Sequence, residues 1–236
     1  MYPRISWSSL KRYEECPQRY YLGRQKKRKP ITEAWVLRGN VLHFALEQLT
    51  QGVAPIDVID NSILNHERMV EEAIDLGWGP SEIEESENKV AHGAKRLTEL
   101  YAQLDYPGIV SEMRVFKFYQ GWCLEGVFDL YAPGMVADLK SGSWDAGQMV
   151  FYEVLYRAQF QEPTDRVLVI EPLGRGLVDV VVTEEEIDLM RHRIKDVVEG
   201  VHANKFPTTG FPDKCNWCQN EPWCPATMKA REGRLA

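Results

Sequence analysis

Between Gly126 and Lys140 the chain lays out Gly126-Val127-Phe128-Asp129, eight residues, and then Asp138-Leu139-Lys140. The runs around it alternate or are continuously apolar over residues 109–118, 122–131 and 135–139, and Ala132-Pro133-Gly134 reads as the turn joining the last two. Two carboxylates and a lysine therefore fall on adjacent β-strands. Side chains two apart on a strand share a face, so Lys140 projects from the same side as Asp138 while Leu139 points into a core.

This grouping narrows the chemistry. Cutting a phosphodiester requires a divalent cation to polarise the phosphoryl oxygen and ready a water, and hard cations such as Mg²⁺ take oxygen ligands of the kind Asp129 and Asp138 supply. Lys140, a compact point charge on a flexible stem, suits orienting that water or offsetting charge on the phosphate. A lone D-x-K also suits a solvated surface hairpin, so the rest of the chain decides.

Helical patterns surround the strands. One helix is expected over residues 6–22 with Ser6 or Ser8 as N-cap, a second over 33–51, and two more over 56–76 and 80–103 with a Gly-Trp-Gly-Pro break between them. Further on, residues 148–161 read as a helix and 166–171 and 177–182 as strands. Thr183 with Glu186 forms a capping box opening a helix to about Val201. The expectation is one domain over residues 1–236. It comprises a mainly helical part (1–105), an α/β core (106–205) with a central mixed β-sheet flanked by helices, and a cysteine-rich tail (206–236).

The 236 residues carry a net charge of −7, which argues weakly against a nucleic-acid partner until the distribution is considered. Lys11, Arg12, Arg19, Arg24, Lys26, Lys27, Arg28 and Lys29 cluster in one stretch, while acids concentrate in residues 71–87 and 184–188. By itself such a basic run reads as a solvated face or linker. No apolar run approaches membrane-spanning length and the N-terminus lacks a signal-peptide core, so a cytoplasmic protein is expected.

Cysteine usage adds a second constellation. An odd count of five argues against a disulfide framework, and Cys123 in an apolar strand reads as a buried thiol. Cys215-x₂-Cys218-x₅-Cys224 lets a loop wrap a metal centre, and a full set of four thiolates points to Cys16, followed like Cys224 by proline. The site would then staple the two ends of the chain. Spacing leaves zinc, an iron–sulfur cluster and a metal-free tail all open. His43, four residues after Gly39, and the helical pair Gln148 and Tyr152 would individually pass for structural residues.

Taken in order, these pieces resemble the RecB-like branch of the PD-(D/E)XK nuclease superfamily, in the iron–sulfur form of AddB-type helicase-nucleases and CRISPR-adaptation nucleases. Residues 5–10 with Cys16-Pro17-Gln18-Arg19-Tyr20-Tyr21 resemble its N-terminal cysteine motif, and Gly39-Asn40-Val41-Leu42-His43 its G-x-x-x-H element. Gly126 to Asp129 resembles G-x-x-D, Asp138 to Lys140 D/E-x-K, and Gln148 to Tyr152 Q-x-x-x-Y. Cys215, Cys218 and Cys224 resemble its C-terminal triad. Ala137 departs from the pattern, standing where the family usually has a larger aliphatic residue, and no helicase motor accompanies the motifs.

The resemblance implies a restriction-endonuclease-like α/β core and divalent metal (Mg²⁺ or Mn²⁺) on His43, Asp129 and Asp138. Lys140 would be the catalytic lysine, with Gln148 and Tyr152 positioning substrate. It also implies a structural 4Fe-4S cluster on Cys16, Cys215, Cys218 and Cys224, and Glu112 matches an acidic position that could touch metal or DNA. The expected activity is a DNA exonuclease acting on single-stranded or frayed duplex ends in repair or recombination, in a bacterial or phage-infected cell. A helicase or recombination partner would deliver those ends; oligomeric state is open. Two rival readings are a catalytically silent iron–sulfur DNA-binding subunit and a redox sensor.

Overall fold

The computed structural model describes residues 4–25, 34–72, 79–119, 121–209, 215, 218 and 220–227. Packing divides the chain into two compact units, one of Met1–Pro30, Phe116–Glu125 and Asp188–Ala236, the other of Ile31–Val115 and Gly126–Ile187.

The larger unit is built on a mixed sheet. Strand β2 (Val110–Tyr119) pairs with β3 (Trp122–Ala132), and β3 pairs antiparallel with β4 (Met135–Leu139). The turn between β3 and β4 holds Gly134 at φ +80°, a conformation suited to the residue after proline in a tight turn. Strand β4 runs parallel to β5 (Arg166–Glu171), with α6 (Ala146–Phe160) as the crossover helix, and β5 pairs antiparallel with β6 (Gly176–Asp179). All five residues of β4 are buried, as expected of a central strand covered on both faces. Helices α3 (Ala34–Thr50), α4 (Pro55–Glu72) and α5 (Pro80–Tyr101) supply one layer. Leu42, Leu46, Leu97 and Leu100 pack with Leu130, Ala137, Leu139, Leu168 and Ile170. Each such aliphatic side chain contributes roughly 1.5–3 kcal/mol on burial. Tyr131, of opposite parity to Leu130, stacks on Phe160 of α6 at 5.2 Å, so α6 covers the other face.

In the smaller unit, β1 (Arg4–Ile5) pairs parallel with Cys123 and Leu124 of β3. Ser6 caps α1 (Trp7–Glu15) in a reciprocal capping box with Ser9. The single helix expected over residues 6–22 is in fact two, α1 and α2 (Pro17–Gln25), broken at Cys16, whose φ −165°, ψ 105° is extended. Proline disfavours helical geometry in the residue before it and is well suited to open the next helix, so Pro17 imposes the break. Helix α7 (Glu184–His202) opens with the expected Thr183–Glu186 box. Arg193 on α7 forms a two-pronged ion pair with Glu14 at 2.7 and 2.6 Å. Beyond α7, Phe206 stacks on Tyr21 at 4.7 Å, Tyr13 donates to the Lys205 carbonyl at 2.7 Å and Asn220 to the Arg19 carbonyl at 3.1 Å.

Of the basic stretch, Arg19 pairs with Glu15 at 2.9 Å and Arg24 donates to Tyr20 at 2.7 Å; Lys26, Lys27, Arg28 and Lys29 lie outside the described residues. Among the described residues no helix is long and apolar enough to cross a membrane.

Candidate active site

Every residue of the proposed catalytic set falls in the larger unit. The β3–β4 register, Leu130 against Ala137, continues by one step to set Asp129 opposite Asp138. Asp129 is tied down by the backbone N–H of Leu139, which donates to its Oδ2 at 2.7 Å. Asp138, 1% exposed, receives Gln148 Nε2 on Oδ1 at 2.9 Å. Its Oδ2 lies 2.7 Å from the Lys140 ammonium, a close ion pair within the fold.

Helix α6 starts at Ala146, two residues earlier than expected, because Asp145 caps it by accepting from Gly147 N at 3.0 Å. The Asp-x-Gly at 145–147 is the local signal for that start. The cap fixes the first turn, and with it Gln148, which also donates to the Tyr152 hydroxyl at 3.1 Å. The G-x-x-D glycine has a packing reason. A Cβ on Gly126 would lie 2.6 Å from Leu155 Cδ2 and 3.8 Å from the Tyr152 ring, so its absence lets α6 approach. A Cβ on Gly39 would meet the Ser141 hydroxyl at an ordinary 3.5 Å, so packing does not demand glycine there.

His43 reaches the same place from α3. Its Nδ1 lies 3.4 Å from Glu112 Oε1 and 3.7 Å from Asp129 Oδ1. One ligand atom from each of His43, Glu112 and Asp129 falls within 4.8 Å of the others. Glu112 holds φ +52°, a left-handed conformation costing a residue other than glycine about 1–3 kcal/mol, and such strain gathers at functional sites. No sequence pattern marks that backbone.

The electrostatics follow from burial. Desolvation pushes the Asp129 carboxyl well above its ordinary range, and the charge of Asp138 adds to this; the Leu139 N–H and Lys140 offset only part. Burial raises Asp138 as well, against the pull of Lys140 and His43. Tyr152 is raised by burial and by both carboxylates, and stays a neutral donor. Two buried carboxylates share the single Lys140 ammonium, which lies 2.7 Å from Asp138, so the pair is short of positive charge. Hard oxygens with one imidazole are a donor set for Mg²⁺ or Mn²⁺, so the residues fit such an ion.

The second constellation lies in the smaller unit, where Cys16, Cys215, Cys218 and Cys224 line one cavity of about 50 Å³. Burial raises the Cys215 thiol, and Cys218, Cys224 and Cys16 add to the rise. Burial also acts to raise Cys16, but N–H groups of Thr209, Arg19 and Gln18 and the Thr209 hydroxyl outweigh it and hold this thiol below its ordinary value. The break before Pro17 produces this by placing the sulfur at the start of α2. Among the described residues no three sulfurs come within 4.8 Å of one another. Cys123 is buried, as expected of a structural thiol.

A mixed sheet between helices, with two buried carboxylates, a lysine and an imidazole at one end of its central hairpin, defines a metal-dependent nuclease class. A family model described as the PD-(D/E)XK nuclease superfamily matches residues 4–225. The chain belongs to that superfamily, whose nucleases use divalent metals and whose substrate is DNA. Among solved structures it is similar in fold to a Eubacterium rectale protein provisionally named an exonuclease. The TM-score is 0.57 at 12% identity, over 90% of this chain and 87% of that one. A structure of SSO0001 aligns over 81% of this chain and 97% of its own at 16% identity, but its TM-score of 0.35 carries no argument. No curated protein matches.

Proposed function

We propose that the protein is a Mg²⁺- or Mn²⁺-dependent deoxyribonuclease of the RecB-like branch, acting as an exonuclease on single-stranded or frayed DNA ends in repair or recombination. One observation carries the reading: His43, Glu112 and Asp129 converge beside the Asp138–Lys140 pair within a single unit. His43, Asp129 and Asp138 would hold the metal, with Glu112 as a further ligand. When bound, the cation would polarise the phosphoryl oxygen and supply a water of lowered pKa. Lys140 neutralises Asp138 and presents its remaining donors to the incoming phosphate or water. Gln148 fixes the Asp138 carboxylate plane, and the Tyr152 hydroxyl, kept protonated, stiffens that contact from one turn further along α6.

Cys16, Cys215, Cys218 and Cys224 are read as ligands of a structural 4Fe-4S cluster. Their shared cavity and the hydrogen bonds aimed at Cys16 support a thiolate site.

The test is cleavage of single-stranded DNA, labelled at each end in turn, by anaerobically purified protein with Mn²⁺, beside Asp138→Ala. Stepwise loss from one end by wild type alone is expected; equal activity in both proteins, or none in either, sinks the reading. Iron and acid-labile sulfide in a roughly one-to-one ratio are expected in the same preparation, and stoichiometric zinc would overturn the cluster.

A further inference from the structure

We propose that a cavity between α3 and α4 is a pocket for one nucleobase of the strand being cut, an inference that rests on the nuclease reading. The cavity measures about 440 Å³ and is lined by Phe44, Gln48, Asn61, Leu64, Asn65 and Arg68. That volume lies within the range of small-ligand sites. Its position follows from helix geometry. Phe44 and Gln48 are one turn apart on α3, and Asn61, Leu64, Asn65 and Arg68 recur at the spacing of a single face of α4.

The lining matches a base in three respects. A base is flat and apolar on its faces, and Phe44 with the 61%-exposed Leu64 offers apolar surface at the cavity wall. Its rim carries donors and acceptors, which carboxamides answer in pairs. Asn61 Nδ2 donates to Gln48 Oε1 at 3.0 Å, which orients both amides and leaves Gln48 Nε2 as donor and Asn61 Oδ1 as acceptor for a ligand. The Asn65 carboxamide adds one of each. Third, among the described residues no carboxylate lines the cavity in a chain of net charge −7, and Arg68 stands in its wall.

Location ties the pocket to the scissile bond. Phe44 directly follows His43 on α3, and Gln48 lies five residues beyond His43, about 7.5 Å along the axis at 1.5 Å per residue. At 3.6 residues per turn, Phe44 and Gln48 are also turned roughly 100–140° around α3 from His43, so a base held there belongs to a nucleotide further along the strand than the one whose phosphate meets the metal ligands.

The experiment measures affinity of full-length Asp138→Ala protein, with Mn²⁺, for a fluorescent single strand and for an abasic strand of equal length, then repeats both with Asn65→Ala or Phe44→Leu added. The parent is expected to favour the base-bearing strand about tenfold. Each added substitution should cut that preference to threefold or less while leaving the abasic affinity unchanged, with melting temperature confirming the fold. An undiminished preference in Asn65→Ala overturns the pocket even where Phe44→Leu fails to fold. Cleavage by wild type together with equal parental affinity for the two strands overturns the pocket alone. No binding to either strand and no cleavage overturns the nuclease reading with it.

Discussion

The two units concentrate chemically similar groups in opposite ways. In the larger, Asp129 and Asp138 are sunk in a sheet that Leu42, Leu97, Leu139, Leu168 and Ile170 already hold together. The fold there absorbs the cost of burying acid, and the site is shaped before any ligand arrives. In the smaller unit the four cysteines are only half-buried, and the segment beyond α7 is held by ring contacts and single hydrogen bonds such as Tyr13 to Lys205. Its described core is modest: Ile5, Leu10, Tyr20, Leu22, Cys123, Leu124 and four residues of α7. A site paid for by a hydrophobic core should lose function without losing the fold; one that supplies its own cohesion should lose both.

The largest effect sharpening this contrast is expected from Lys140→Ala, which should lower kcat by on the order of 10²–10³-fold. Its circular dichroism and melting temperature should stay near wild type. Full activity in the purified variant would break the assignment of the site.

Next in size, Cys218→Ser should lose bound metal and colour and lower the melting temperature by on the order of 10 °C, since metal-binding free energy at such a site is folding free energy. Thermal melts and iron analysis decide. A variant that melts with wild type would mean that ring contacts suffice to hold the tail.

Smaller again, Gly126→Ala should cost about 1–3 kcal/mol in denaturant unfolding, because its methyl meets buried Leu155, and should depress kcat by shifting Gln148 and Tyr152. Gly39→Ala, with ordinary contact distances, should leave stability nearly unchanged. Equal costs at the two positions would contradict the packing argument.

The smallest effect concerns pH. Asp129 and Asp138 have raised pKa values in the folded protein, so across the window above the ordinary carboxylate range the unfolded chain has released protons that the fold retains. Stability in chelator should therefore fall as pH rises from about 4 toward the raised values. Asp138→Asn should flatten that slope, and Mn²⁺ should oppose it by replacing the protons with metal. Melting temperatures across pH in chelator and in Mn²⁺ test the sign; a slope that rises with pH would contradict the burial argument.

Local signals were legible where the chain's own chemistry dictates structure. Strands β4 and β5 and the Thr183–Glu186 box match the sequence reading residue for residue. The break at Cys16 was legible too, in Pro17, yet the apolar stripe of residues 6–22 outweighed it. Glu112 shows the limit. Its residue type suggested a role, but neither its positive φ nor its approach to His43, 69 positions away in the chain, has any local signature. The pocket residues carried no signal beyond ordinary helix spacing.

The sequence by itself determined the menu: which segments become strands, which side chains share a face with Asp138, and which residue types could hold a hard cation or a thiolate-bound metal. Backbone propensity and side-chain alternation act over a few residues, so a single chain displays them. Only the tertiary structure decided that His43, Glu112 and Asp129 meet, that burial raises both carboxyls, and that Cys16 shares a cavity with Cys215, Cys218 and Cys224. Distances and desolvation between residues remote in the chain are properties of packing, and packing is settled by the whole core at once.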